Sequence, residues 1–347
     1  MLPNAKPRIA LLAAPETSPA ILFGLFDVLS SVGAVYPDMT IGEEGTGLLD
    51  VRIVAAGMEP FRCFGAILIE PHASVDTVGD VDVVIVCDMY TPIHTAPKGR
   101  YGAEIAWLRR AHARGSLIAS VCTGSVVLAE AGLLDGRTCA SHWAYGDLFR
   151  REYPAVSLDA GAILVLDTEA DGIITAAGVT AWQDLALHLI ARLCGREHAI
   201  RTAKVHLLAG HADGQLPFAA LTRRIQDRDA AVARAQAWIA DNYGVTNPVT
   251  AMAAASGLAP RTFARRFRVA MGQRPIDFVH AIRIDEAKER IELGTGPIED
   301  VAHEVGYEDP TFFRRLFKRQ TGLTPAAYRR KFARIAAIVP LRREVVA

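Results

Sequence analysis

The chain has 347 residues with 38 basic and 38 acidic side chains, so it is long enough for two domains and neutral as a whole. Its 5 cysteines are scattered and form no Cys-x-x-Cys pair, which excludes a disulfide framework and a zinc site. The N-terminus lacks a secretory pattern, and no apolar run reaches the roughly 18 residues of a membrane span. We therefore expect a cytoplasmic protein with no membrane partner, metal or cofactor.

Short apolar strands alternate with helical segments over roughly the first 200 residues. The predicted strands are Ile9–Ala14, Val51–Ala56, Val83–Cys87, Leu117–Val121 and Ile173–Ala177. Helical patterns between them include Ile21–Val32, Gly102–Arg114 and Val126–Ala131. Buried parallel strands flanked by helices predict an α/β, flavodoxin-like, doubly wound sheet. Ala162–Asp167 and Gly172–Ala177 should add a hairpin to it.

One strand-to-helix connection has chemical promise. The predicted strand Leu117–Val121 runs into a helix through Cys122, with Thr123 and Gly124 next. A sharp turn of this kind presents a side chain at a helix N-terminus, where the helix dipole favours a thiolate. His142 and Trp143 follow a second strand end and could lie near Cys122.

Residues 8–205 resemble the ThiJ/PfpI superfamily, whose fold is glutamine-amidotransferase-like, and the match is most specific over 117–143. Enzymes on that fold use the elbow cysteine with a histidine and a carboxylate. Ile21 stands where the carboxylate is expected, Glu16 lies five positions early, and Cys87–Tyr90 replaces the glycine-rich oxyanion segment. Without these partners the main electrostatic contributions to acyl transfer are missing, so we expect no catalytic residues.

A ligand pocket is the favoured interpretation, because ligands of open α/β sheets bind at the carboxyl ends of the strands. Its candidate residues are Cys122, Thr123, His142 and Trp143. Other roles stay open: Cys122 could be a vestige or a thiol that oxidises to a sulfenic acid, and His142 could be a hydrogen-bonded structural residue.

Two glycines and a proline over 210–217 interrupt the helical pattern and indicate a domain boundary. The charge changes there as well. Residues 1–220 hold 16 basic and 24 acidic side chains, whereas residues 221–347 hold 22 and 14. A basic module joined to an acidic one is typical of DNA binding combined with a separate sensing task. We therefore predict a sensing and dimerisation domain at 8–209, a linker at 210–228 and a DNA-binding domain at 229–332.

Two helix-turn-helix units in tandem occupy residues 249–331. The first consists of Val249–Ser256, Gly257–Ala259 and Pro260–Ala270, and the second of Ile298–Val305, Gly306–Glu308 and Asp309–Gln320. The glycine in each turn supplies a positive φ. Pro275–Leu293 lies between the units and should be one helix of roughly 28 Å, so both units could reach successive major-groove segments on one side of a duplex.

Phenylalanines four positions apart fix which faces are buried. Phe263 and Phe267 should point inward, as should Phe313 and Phe317. The outer faces then present candidate DNA contacts: Arg261, Thr262, Arg265, Arg266, Thr311, Arg314, Arg315 and Lys318. Arginine suits both guanine edges and phosphates.

This region resembles the DNA-binding domain of the AraC/XylS family. The matching residues are Arg261–Phe267, Gly272–Pro275, Arg283 with Ala287, Ile298–Gly306, Asp309–Phe317 and Gly322–Arg329. The combination with a ThiJ/PfpI-like domain resembles a regulator subfamily often called GlxA-like. That resemblance implies a homodimeric regulator, usually an activator, with promoter DNA, a small-molecule effector and RNA polymerase as partners.

Two other hypotheses remain. In one, the chain is a Cys122-dependent hydrolase or amidotransferase-like enzyme with a DNA-binding appendage. In the other, it binds DNA constitutively and the first domain serves only for dimerisation.

Overall fold

The computed structural model describes residues 6–93, 95–167, 172–220 and 229–338. The chain divides into two compact units, Met1–Gln215 and Leu216–Ala347. Among the described residues, no single helix is long and apolar enough to cross a membrane, although one bent pair, Pro19–Ser30 with Val35–Ile41, passes on length and composition alone.

The first unit combines strands and helices. Its strands are β1 (Arg8–Leu12), β2 (Asp50–Ala55), β3 (Phe61–Arg62), β4 (Leu68–Ile69), β5 (Ala73–Ser74), β6 (Val83–Val86), β7 (Leu117–Val121), β8 (Thr138–Cys139), β9 (Ser157–Leu158), β10 (Leu164–Asp167) and β11 (Ile173–Ala176). Its helices are α1 (Pro19–Ser30), α2 (Val35–Ile41), α3 (Gly102–Ala113), α4 (Gly124–Glu130), α5 (Gly146–Glu152), α6 (Trp182–Cys194) and α7 (Arg196–His206).

The main sheet of the described residues has the strand order β10-β11-β7-β6-β1-β2-β5. Every neighbouring pair is parallel except β10 with β11, whose antiparallel register joins Leu164 to Ala176. The predicted doubly wound sheet is thereby confirmed, with its added hairpin strand. The turn expected at Glu169–Asp171 lies outside the described residues.

Alternate residues of each central strand point to opposite faces of the sheet, as the pleat requires. Ile9 and Leu11 of β1 pack with α1 and α6, whereas Ala10 and Leu12 pack with α3, α4 and α5. Both faces are thus covered, which explains why the strands are apolar throughout instead of alternating with polar residues. The sequence patterns did not predict α2, the hairpin β3–β4, or β9; β8 lies where a strand end was expected before His142.

The second unit is helical in its described part. Its helices are α8 (Ala230–Asp241), α9 (Pro248–Ser256), α10 (Pro260–Met271), α11 (Pro275–Leu293), α12 (Ile298–Glu304), α13 (Pro310–Thr321) and α14 (Pro325–Ile338). α11 has the bounds that the sequence predicts, because Pro275 fits the first helical turn and Gly294 follows the last.

Helix α11 supplies both cores of the second unit. Phe278, Val279 and Ile282 in its first half pack with α8, α9 and α10. Its second half, from Ile284 to Ile291, packs with α12, α13 and Tyr328 of α14. Each helix-turn-helix unit therefore has its own apolar core, and the shared helix α11 connects the two cores.

The segment predicted as the linker 210–228 is attached over much of its described length. In the first unit, the backbone N–H and Nδ1 of His211 lie 2.9 and 2.6 Å from the two carboxylate oxygens of Asp184. In the second unit, Lys288 donates a hydrogen bond to the carbonyl of Ala219, and Phe218 packs edge-on against Phe332. Residues 221–228 of the predicted linker lie outside the described residues.

Candidate functional site

The connection between β7 and α4 is the sharp turn that the sequence indicates. Cys122 has a φ of 54°, in the left-handed region, and its backbone N–H lies 3.0 and 2.8 Å from the carbonyl oxygens of Ala176 and Ala177. Gly124 is needed two residues later, because a Cβ there would lie 2.4 Å from the carbonyl oxygen of Val86. The strained residue is held in place by close packing on both sides.

The Cys122 thiol differs from the expected exposed, acidic one. The residue is only 4% exposed. Burial and the nearby Asp88 carboxylate raise its pKa well above the ordinary value, although the backbone N–H of Thr123 lowers it in part. The expectation of a thiolate at a helix N-terminus was therefore wrong: desolvation and a neighbouring anion outweigh the dipole of a helix with only 7 residues.

Asp88 is a residue that the sequence patterns did not single out. It follows β6 and is 8% exposed, and its carboxylate accepts a hydrogen bond from Thr123 Oγ1. Burial raises its pKa, while hydrogen bonds from Thr123 and Cys122 and the charge of His142 lower it in part. Its position after an apolar strand, at the carboxyl edge of the sheet, was the available signal.

His142 and Trp143 lie in the loop that follows β8, close to this group. Burial lowers the pKa of His142, and Asp88 opposes that shift. The His142 Nδ1 accepts a hydrogen bond from the Ala144 N–H at 3.2 Å, and its ring centre is 4.9 Å from that of Trp143. Ser141 Oγ donates to the Cys122 carbonyl at 3.0 Å. The structure thus groups the four candidate pocket residues with Asp88.

The carboxylate of Glu16 is engaged elsewhere. It accepts hydrogen bonds from Arg100 and from the Tyr101 hydroxyl. Ile21, at the position where the catalytic carboxylate was expected, is fully buried in α1. Asp88, by contrast, forms a hydrogen bond with the Cys122 thiol. Among the described residues, no group of three or more His, Cys, Asp or Glu side chains could hold a metal ion.

In the second unit, both helix-turn-helix motifs have the predicted geometry. Gly257 between α9 and α10 and Gly306 between α12 and α13 have φ values of 73° and 90°. The four phenylalanines of the recognition helices α10 and α13 are fully buried, which leaves the opposite faces open to solvent: Phe263, Phe267, Phe313 and Phe317.

Most of the candidate DNA contacts are exposed: Arg261, Thr262, Arg265, Thr311, Arg314, Arg315 and Lys318. Arg266 is half-buried and forms a two-bond ion pair with Asp229, at 2.9 and 2.7 Å. Arg314 pairs with Glu299 of α12. Arg268, which the sequence interpretation passed over, is also exposed on α10.

Two family models match the chain. The DJ-1/PfpI family matches residues 19–192, and a helix-turn-helix domain matches residues 252–331. The first match contains the site around Cys122, and the second contains α10, α11 and α13.

Named proteins are similar to all or part of this chain. The transcriptional regulator CdhR of Pseudomonas aeruginosa is 26% identical over 91% of this chain and 90% of its own length. GlxA of Rhizobium meliloti is 30% identical over 65% of this chain and 68% of its own length. An isonitrile hydratase of Pseudomonas putida is 30% identical, over 55% of this chain and 74% of its own length. The chain belongs to the AraC-type transcriptional regulators that carry an N-terminal DJ-1/PfpI domain, the group that includes GlxA.

Proposed function

We propose that this DNA-binding regulator senses a small-molecule effector in its DJ-1/PfpI domain and adjusts its affinity for promoter DNA accordingly. The observation that supports this most directly is the grouping of Asp88, Cys122 and His142 at the carboxyl edge of a sheet in a chain with two helix-turn-helix units. By its resemblance to AraC/XylS regulators, we propose that it is a cytoplasmic homodimer that activates transcription and contacts RNA polymerase.

For DNA contact we propose the exposed basic and hydroxyl side chains of α10 and α13. Within the described part of the chain, Arg261 and Arg265 have no hydrogen-bond or ion-pair partner, so both guanidinium groups can bind base edges or phosphates. The corresponding group on α13 consists of Thr311, Arg314, Arg315 and Lys318. Arg266 contributes less, because its donors already bind Asp229.

For the effector we propose a site against Cys122, Thr123, His142 and Trp143, together with Asp88. These groups combine a buried carboxyl, a hydroxyl, an imidazole and an indole, which is the mixture of a few polar groups with apolar surface that ligand sites use. Cys122 acts there as an uncharged wall and contact residue, since its raised pKa keeps the thiol protonated.

A path from this site to the second unit is suggested by Gln215. Its side chain is 4% exposed, donates to the carbonyl of Ser141 at 2.8 Å and accepts from the Trp143 N–H at 3.1 Å. Gln215 is also the last residue of the first unit. An effector that moves the loop of His142 and Trp143 would thus act on the residue next to the DNA-binding unit. Such coupling requires that the effector bind two states of the protein with different affinities.

The isonitrile hydratase relative keeps a second candidate open, an enzyme that uses Cys122. The raised pKa of Cys122 and the engagement of Glu16 by Arg100 and Tyr101 argue against an activated nucleophile. We therefore propose that the chain is not an enzyme. Turnover of an isonitrile that Cys122→Ala abolishes, while DNA binding is unchanged, would favour the enzyme.

The first test is to incubate purified protein with genomic DNA fragments, wash at physiological salt and sequence what is retained. A few fragments with a shared motif are expected, and the operons beside them then suggest effectors to test. Uniform, salt-sensitive recovery would mean that binding is driven by phosphate contacts alone. The matched control is the variant with Arg261→Ala and Arg265→Ala, which should lose the shared motif.

A further inference from the structure

Arg283 is a buried cation in the middle of α11. It is 6% exposed, and its three guanidinium nitrogens each donate to a backbone carbonyl. Nε donates to Tyr243 at 2.7 Å and Nη2 to Val245 at 2.9 Å. Nη1 donates to Gly306 at 2.7 Å. The guanidinium carbon also lies 5.2 Å from the centre of the Tyr307 ring.

These carbonyls lie on the two sides of the junction between the helix-turn-helix motifs. Tyr243 and Val245 are in the loop between α8 and α9, just before the first motif, whereas Gly306 is the turn glycine of the second motif, between α12 and α13. The backbones approach closely here: a Cβ on Gly306 would lie 2.8 Å from the Gly244 carbonyl oxygen and 2.9 Å from Arg283 Cζ. One planar guanidinium therefore connects the turn of the second helix-turn-helix motif to the loop that leads into the first motif.

We infer that Arg283 fixes the separation of the two recognition helices, and thereby determines which spacing between two base-pair elements the protein accepts. The inference depends on DNA binding by both helix-turn-helix units. Arg283 is a positioning residue in this role, since it acts through the backbone of both units and its buried side chain cannot itself touch a duplex.

The geometry of DNA makes such a separation selective. Recognition helices that enter successive major-groove segments lie about 34 Å apart, or about one helical turn. One inserted base pair moves the second element by about 3.4 Å and rotates it by about 35°. Two flexibly connected helix-turn-helix motifs could adjust to the new position of the second element. Motifs held rigidly together through Arg283 could not. Lysine keeps the charge but has a single nitrogen, so it cannot span three carbonyls set by a planar fork.

The test uses the full-length protein and a synthetic pool of duplexes with a random stretch about three helical turns long. Retained duplexes are sequenced, and the distance between the two enriched elements is recorded for wild type, Arg283→Lys and Arg234→Lys. Arg234 is the matched control, because its guanidinium also donates to a carbonyl, that of Ser256 at 2.9 Å, but within one unit.

Wild type and Arg234→Lys should recover one spacing, with affinity at least tenfold lower when a base pair is added or removed. Arg283→Lys should recover the same two elements at several spacings, with affinities within about threefold of one another. Recovery of one spacing by Arg283→Lys would overturn the inference. If that variant does not fold, the wild-type protein alone provides the test. The inference would then be overturned if its affinity changed by less than twofold when one base pair is added between the elements. Failure of the wild-type protein to enrich any element would instead contradict DNA recognition itself.

Discussion

At the scale of single residues, Asp88 makes Cys122 harder to ionise, whereas the Cys122 thiol makes Asp88 easier to ionise. Burial raises the pKa of both groups, and the Asp88 carboxylate raises the pKa of Cys122 further. The hydrogen bond from the Cys122 thiol lowers the pKa of Asp88 in part. Thr123 compensates in part through its hydroxyl bond to Asp88. The pair is thus adapted to contact a ligand and poorly adapted to attack one.

Asp88→Asn should stabilise the first unit at neutral pH. The folded-state pKa of Asp88 is raised, so its contribution to stability is present below the unfolded-state pKa and is lost as the pH rises through the folded one. Asparagine stays neutral and can still accept the Thr123 bond. Calorimetry should show a higher unfolding temperature for the variant at about pH 7, with a difference that shrinks toward about pH 4. An equal or lower unfolding temperature at neutral pH would contradict the burial argument.

Cys122 should react slowly with iodoacetamide in wild type and faster in Asp88→Asn. The Asp88 carboxylate raises the pKa of Cys122 through its charge, so its removal should lower that pKa. Each decrease of one unit in the pKa increases the thiolate fraction about tenfold. We expect an acceleration of about threefold to tenfold, measured by mass spectrometry of the digested protein. Cys194 is an internal control: its pKa is raised by burial alone, so its rate should not change. An unchanged Cys122 rate would show that access, and not ionisation, limits the reaction.

At the scale of helices, the two recognition helices begin differently. α13 has Asp309 as its N-cap, which accepts from the Thr311 N–H at 2.8 Å. The corresponding N-cap of α10 is Ala259, which has no side-chain cap. The two helices are otherwise alike: both have a proline in the first turn and end at a glycine with positive φ.

Asp309→Ala should destabilise the second unit by about 1 kcal/mol, because the cap of α13 is lost. Ala259→Asp should stabilise it by a similar amount, about 1 kcal/mol, because Ala259 has the non-helical backbone (φ −59°, ψ 143°) that a capping residue requires. Urea denaturation of both variants measures these free energies. Opposite signs are expected. Destabilisation by both substitutions would contradict the prediction that an aspartate at position 259 caps α10.

Within α10, neighbouring arginines should contribute unequally to DNA affinity. Arg265→Ala should weaken binding and reduce the slope of log affinity against log salt by about 1 if Arg265 neutralises a phosphate. Arg266→Ala should change the slope less, because Arg266 is bonded to Asp229. Fluorescence anisotropy at several salt concentrations measures both. Equal slopes for the two variants would mean that Arg266 leaves Asp229 when DNA binds.

At the scale of the whole molecule, Gln215 should determine whether the loop of His142 and Trp143 responds to DNA binding. Coupling is reciprocal, so DNA bound by the second unit should alter hydrogen exchange at the Trp143 amide. Gln215→Ala removes the acceptor of that amide, which should exchange faster and no longer respond to DNA. Mass-spectrometric exchange of the full-length chain, with and without a retained genomic duplex, tests this. A response of equal size in Gln215→Ala would exclude this path while leaving DNA binding intact.

The sequence predicts what depends on local pattern. The bounds of α11 follow from a proline and a glycine, and the buried phenylalanines of α10 and α13 follow from spacing. Asp88, Arg283 and Gln215 could not be found in this way. Each acts on residues far away in the chain, such as Thr123 for Asp88 and Ser141 for Gln215, and no local periodicity encodes such contacts.

The anchored segment between the units has a consequence for protein engineering. A chimaera that exchanges sensors would naturally be joined at Gly210, where the sequence pattern breaks. That joint would separate His211 and Gln215 from Asp184 and Ser141, their partners in the first unit. Phe218 and Ala219, by contrast, belong with the DNA-binding unit through Phe332 and Lys288. Recombination between such regulators should therefore preserve both halves only when the crossover falls between Gln215 and Leu216.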